Sequence, residues 1–163
     1  MKSTQLFLLW LFLLSSLYVQ NASQGAPMAT NATDEPQGQC EVRTTAYTHS
    51  RHSMERNAND SQLKAGGLKS AAADWSRFPL GTKFSVCETQ QTYIVDDYGP
   101  ALVGTSKIDL YMPSPREMRR WGVRKVTIII TEPGSYARSL ALLKARKRGS
   151  YVRRMVKALE QKV

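Results

Sequence analysis

Three acidic positions stand where carboxylates are costly. Asp96, Asp97 and Asp109 lie within the apolar, β-branched stretch from Thr92 to Met112, on either side of a turn broken by Gly99 and Gly104. Carboxylates so placed do general acid–base work when burial or a neighbouring charge lifts one of them above the ordinary ~3.9 of an aspartate. Aspartates beside glycine or threonine also cap turns, a common and purely structural use. Residue type and spacing leave both uses open.

Strand alternation narrows the choice. Ile108, Leu110 and Met112 share one face of their strand, and Lys107, Asp109 and Tyr111 the other. In the preceding strand Tyr93, Val95 and Asp97 lie together, opposite Ile94 and Asp96. Asp97 and Asp109 are therefore expected to leave the core and face one groove.

The elements that must hold them read as short strands. Val42–Tyr47 alternates, Thr82–Cys87 follows a turn at Phe78–Gly81, and Gln91–Asp97, Thr105–Met112 and Val123–Thr131 complete the set. The polar, aperiodic stretch 48–70 reads as a long loop, a length that in compact domains usually carries function. Ser114, Pro115 and Glu117 have capping-box spacing and predict one short helix that stops at Gly122. Such a composition predicts a small closed all-β barrel.

The flanks differ from this centre. Residues 1–26 carry Lys2, an apolar run and then small residues, the layout of a secretory signal peptide, and 27–39 reads as a flexible leader. The barrel domain is expected over 40–132 and a basic helical tail over 133–163. The formal charge is +10, and the segment 144–162 holds eight Lys or Arg against Glu160 alone. Tyr151, Val152, Met155, Val156, Leu159 and Val163 recur at helical spacing. The tail either packs on its own domain or binds a surface, an anionic envelope polymer or a membrane. Export to a periplasm or cell envelope argues against nucleic acid as the partner.

Cys40 and Cys87 are the only cysteines, and in an exported chain an even pair suggests a disulfide. Closing that loop would stabilise by roughly 3–4.5 kcal/mol in the chain-entropy model. Two separate thiols are the alternative. With two histidines and no CxxC, neither a metal site nor a cofactor is expected.

Five blocks in order resemble the three-aspartate (3D) domain of bacterial cell-wall enzymes. They are Ala46-Tyr47-Thr48; Ala73-Asp74 with Pro79-Leu80-Gly81-Thr82; Asp97-Tyr98-Gly99 through Gly104; Ile108-Asp109-Leu110-Tyr111; and Trp121-Gly122 before the last strand. Similar domains occur in membrane-bound lytic transglycosylase A and in stationary-phase-survival muralytic proteins. The resemblance implies a six-stranded double-psi β-barrel with Asp74, Asp97 and Asp109 in one cleft and Asp109 as general acid/base. Tyr47, Thr48, Gly99 and Lys107 fall at positions that would touch substrate. The implied activity is lytic transglycosylase cleavage of the β-1,4 bond of peptidoglycan strands, and the alternative is a wall-binding module without catalysis. Pro100 departs from the pattern by replacing a glycine, removing an N–H and fixing its own φ.

Overall fold

The computed structural model describes residues 38–49, 56–146 and 149–163. The expected signal peptide and nearly all of the leader lie outside these residues. Six strands form one closed mixed barrel: β1 Gln39–Tyr47, β2 Leu68–Ala73, β3 Lys83–Val86, β4 Gln91–Asp97, β5 Ile108–Tyr111 and β6 Arg124–Glu132, in the order β1-β5-β2-β4-β3-β6. The pairs β1/β5 and β2/β4 are parallel and the other four antiparallel. This is the small six-stranded barrel the sequence predicts, consistent with the double-psi type.

Alternation builds most of it. Phe84 and Val86 of β3, Tyr93 and Val95 of β4, Ile108 and Leu110 of β5, and Val126 and Ile128 of β6 all turn inward and are buried. Phe84 stacks on its cross-strand partner Tyr93, centroids 5.6 Å apart. The strand β2 begins at Leu68, inside the long loop expected over 48–70. It runs between β5 and β4, and Ser70, Ala71, Ala72 and Ala73 are all buried. A strand covered on both faces needs no polar alternation, and alanine has weak strand propensity, so no periodic signal marks it.

The predicted short helix is α1, Pro115–Trp121. Ser114 caps it, accepting from the Glu117 N–H at 3.3 Å and donating to the Glu117 carboxylate at 2.6 Å; Gly122 ends it at φ 64°. Beyond β6 come two further helices, α2 Tyr136–Ala145 and α3 Ser150–Leu159. Among the described residues no helix is long and apolar enough to cross a membrane.

The apolar stripe of the tail is turned inward. Leu143, Val152, Met155 and Leu159 are almost fully buried and belong to the same cluster as Trp75, Phe78 and Leu80. Ser135 caps α2, and the Ser139 hydroxyl accepts from the Leu80 N–H at 2.9 Å while donating to the Ser135 carbonyl at 2.7 Å. The packing reading of the tail therefore holds for these positions, while Val163 at the end of the stripe is exposed. At the junction, Gly134 lies against backbone: a Cβ there would stand 2.3 Å from the Pro79 carbonyl oxygen and 2.7 Å from that of Leu80.

The expected disulfide is absent, since Cys40 and Cys87 are both free thiols. The topology explains why. Cys40 is the register partner of Ile128 on one side of β6, whereas Val86, just before Cys87, pairs with Ile128 from the other side. Two strand spacings, roughly 10 Å, separate them, well beyond disulfide reach. Cys40 also points with Ile128 toward the core, while Cys87, one residue past the buried Val86, points away.

Two expected outcomes follow from this packing. Gly134→Ala should cost about 3 kcal/mol in urea unfolding, because only backbone could yield, whereas Gly67→Ala, with nothing within 4 Å of the added carbon, should change stability by no more than about 0.5 kcal/mol. Equal costs would remove the close approach as a constraint. Protein unfolded without reductant should alkylate at both cysteines, and recovery of an intact Cys40–Cys87 bridge in peptide maps would contradict the strand order.

Candidate active site

A single row of register partners organises the site. Thr45 on β1 lies beside Asp109 on β5, Asp109 beside Ala72 on β2, and Ala72 beside Asp97 on β4. Partners in register point to the same side of a sheet, so the two aspartates flank Ala72 on the outer face of the barrel wall. Their backbones are two strand spacings apart, roughly 10 Å, with one methyl group as the floor between them.

Asp97 lies on the outer face, as expected, but not by the alternation from which that was inferred. Simple alternation groups it with the buried Tyr93 and Val95, and would aim it inward. Between Ala71 and Ala72 the register of β2 against β4 shifts, so that Val95 pairs with Ala71 and Asp97 with Ala72. Asp96 is the extra residue of this β-bulge. It is buried, accepting from the Ser70 hydroxyl at 2.8 Å and the Lys64 ammonium at 2.9 Å. Its second oxygen, Oδ1, is buried with no hydrogen-bond partner among the described residues.

The two outer aspartates have different surroundings. Asp97 receives three donors: the N–H groups of Ala58 at 3.0 Å and Tyr98 at 2.9 Å on Oδ1, and the Tyr47 phenol at 3.3 Å on Oδ2. Burial raises its pKa, the two N–H donors pull it back, Asp96 raises it and Tyr47 lowers it. Asp109 has one hydrogen bond among the described residues, from the Thr45 hydroxyl at 2.8 Å. Burial raises its pKa, and the Thr45 hydroxyl and the Lys107 ammonium oppose this less strongly. Burial, not repulsion between aspartates, is thus what lifts the candidate acid.

Asp74 stands apart from the pair. It follows β2 and is almost fully buried, its Oδ1 accepting from the Ser76 N–H at 2.9 Å and hydroxyl at 2.7 Å, its Oδ2 from the Gly104 N–H at 2.6 Å. These bonds tie the 99–106 turn to the end of β2. Gly104, at φ 82°, presents that N–H in a conformation few other residues adopt. Within the same turn, the Leu102 N–H donates to the Gly99 carbonyl and Pro100 occupies the second position, where its fixed φ fits. At Gly99 an added side-chain carbon would meet only Leu102, at 3.7 Å.

The remaining predicted residues border the groove. Tyr47 and Tyr111 are register partners with ring centroids 5.5 Å apart, and Tyr111 shares a 2.7 Å hydrogen bond with His49 Nδ1. Burial, then Asp97, Asp96 and Asp109, push the Tyr47 phenol far above its ordinary value, so it stays a protonated donor. Thr48 Oγ1 is buried and has no partner among the described residues. Thr45, Ala58 and Lys64 went unremarked in the sequence. Thr45 shares an alternating face with Tyr47 and was findable that way, but nothing local marks Ala58 or Lys64. A separate cavity of about 270 Å³, bordered by Lys69, Tyr93, Met112 and Trp121, includes none of these aspartates.

Residues 69–132 match the family model described as 3D domain. That span takes in β2 through β6 and all of Asp74, Asp97 and Asp109. It leaves out Tyr47, Thr48 and the two C-terminal helices. No curated protein matches the chain.

The raised pKa of Asp109 gives a stability signature. Its folded value lies above the ordinary 3.8, so the folded chain binds that proton more tightly than the unfolded one. Stability contributed by this group therefore falls as pH rises through the interval between the two values. Asp109→Asn, which keeps the acceptor for Thr45, should raise the melting temperature at about pH 7 and leave it unchanged near pH 3. A variant that is less stable than the parent at neutral pH would show that the carboxylate is not held at a desolvation cost.

Proposed function

We propose, taking residues 69–132 as a 3D domain, that the protein acts on bacterial peptidoglycan and is a muralytic enzyme of the lytic transglycosylase type. The observation that carries this reading is the pair of unlike carboxylates flanking Ala72: Asp109 buried with one neutral donor, Asp97 held by three. Two acids whose surroundings set them different tasks are what glycosidic cleavage requires.

In this reading the protonated Asp109 donates to the glycosidic oxygen as the C1–O bond breaks. The Asp97 carboxylate, whose three donors oppose the rise that burial imposes, faces the positive charge that develops at the anomeric carbon. The C6 hydroxyl of the muramoyl residue attacks C1, and its proton passes to the Asp109 carboxylate, restoring the acid and leaving a 1,6-anhydro end. No second carboxylate has to bond the sugar. Tyr47 supplies a hydroxyl beside Asp97, and Lys107, beside Asp109, can meet a substrate carboxylate. Asp74 serves by fixing the turn that follows Asp97. Export of the chain to the cell envelope, read from its first residues, brings it to this substrate.

Asp109→Asn should lower glycan cleavage by roughly 10²–10⁴-fold, the usual contribution of a general acid–base group, while the fold is retained. Mass spectrometry of digested sacculi reads the outcome as loss of 1,6-anhydromuramoyl ends. Reducing ends from the parent protein would indicate a hydrolase instead. Binding to sacculi with no new ends of either kind would leave the groove as a wall-binding module.

A further inference from the structure

The C-terminal helices touch the candidate site through one side chain. Arg146 is the C-cap of α2, and the helix that carries it is fixed by the buried Ser139 and Leu143. Its Nη1 donates to the Ala58 carbonyl, and its Nη2 pairs with the Asp60 carboxylate at 2.7 Å. Its charge also opposes the rise that burial imposes on the phenol of Tyr98, the residue following Asp97.

Ala58 is gripped from both sides. Its carbonyl accepts from Arg146, and its N–H donates to Asp97 Oδ1 at 3.0 Å. The turn around it is built to stay in shape: the Asn57 side-chain oxygen accepts from the N–H groups of Asn59 and Ser61, both at 3.0 Å, and the Asn57 N–H donates to the Ser61 carbonyl at 2.9 Å. Lys64, further along, anchors the same segment to Asp96. On the other flank Trp75 donates to the Asp97 carbonyl at 2.9 Å and meets the Tyr98 ring edge-on at 4.9 Å, with Tyr151 of α3 at 6.2 Å from that ring.

We infer that Arg146 is a positioning residue for Asp97: it holds the 56–62 turn in the one place from which the Ala58 N–H reaches the Asp97 carboxylate. This deepens the lytic transglycosylase reading and rests on it for its catalytic meaning. A guanidinium suits the task because its planar fork makes two bonds to the turn at once, which an ammonium cannot do with fixed geometry. The tail then contributes to the active site as well as to the core, although it lies outside the span matched as a 3D domain. Asp97 is also faced by Tyr47 from β1 and by Asp96 from its own strand, and both contacts remain when Arg146 is changed.

Arg146→Met and Arg146→Lys in the full chain test this, together with Asp60→Ala, which removes one exposed partner and leaves the core alone. The first readout is the carboxyl carbon of Asp97, titrated by NMR. Arg146→Met should raise its midpoint, because the Ala58 N–H that favours the anion is loosened; Arg146→Lys and Asp60→Ala should raise it less. The second readout is cleavage of soluble glycan strands, where Arg146→Met should lower kcat roughly tenfold with KM little changed, and Arg146→Lys should recover part of it. If Arg146→Met does not fold, the Asp60→Ala titration decides alone. An unmoved Asp97 midpoint in every folded variant overturns the positioning role even if the parent cleaves glycan. A moved midpoint in a parent that cleaves nothing supports the positioning role and rejects the enzyme reading.

Discussion

A strand that ends in two consecutive carboxylates must, under strict alternation, aim one of them into the barrel. The strand β4 meets this constraint with a bulge at Asp96, which lets Val95 stay in the core and turns Asp97 to the outer wall. The bulged residue is not left to solvent. It is buried against Ser70 and Lys64, so the insert between β1 and β2 is latched to the wall at the point where the register slips. Without the bulge, Asp96 would stand beside Ala72 in the row with Asp109, and Asp97 would be aimed into the barrel.

The strand β2 supplies the other half of the arrangement. It pairs with β4 on one side and β5 on the other, and its alanines admit cover on both faces. Ala72 is the register partner of both aspartates, so its small size sets how open the groove floor is. A larger residue there would narrow the space between the two carboxylates. The same strand runs on into Asp74, whose three donors fix the turn carrying Gly104 and hence the start of β5. Two aspartates thus face the groove, and the third holds its wall.

How much of this was legible in the sequence depended on whether the signal was local. The cap at Ser114 and the inward face of β5 both follow from short-range patterns, and each stands where those patterns put it. The strand β2 was not legible because a doubly covered strand of alanines has no polar face to reveal its period. The bulge was not legible because the partners that stabilise it, Lys64 and Ser70, are 32 and 26 residues away in the chain. The cysteine pairing failed for a related reason: an even count says nothing of strand order, and β6 lies between the two thiols.

The tail shows why a recognisable motif and a physical domain need not end at the same residue. The segment matched as a 3D domain stops at the end of β6, yet the barrel beneath Trp75, Phe78 and Leu80 is closed by Leu143, Val152, Met155 and Leu159 from beyond it. Closing the core there brings α2 past the 56–62 turn, and that passage is what sets Arg146 against Ala58. The basic character of the tail then divides by position. Arg146 is spent inside the structure on a carbonyl and a carboxylate, and Lys162 on the Ser76 carbonyl and the face of Tyr136. Arg153, Arg154 and Lys157 alternate with the buried positions of α3, whose apolar side is already occupied by the core. What they present to solvent is charge, and any attraction it exerts on an anion is screened by salt.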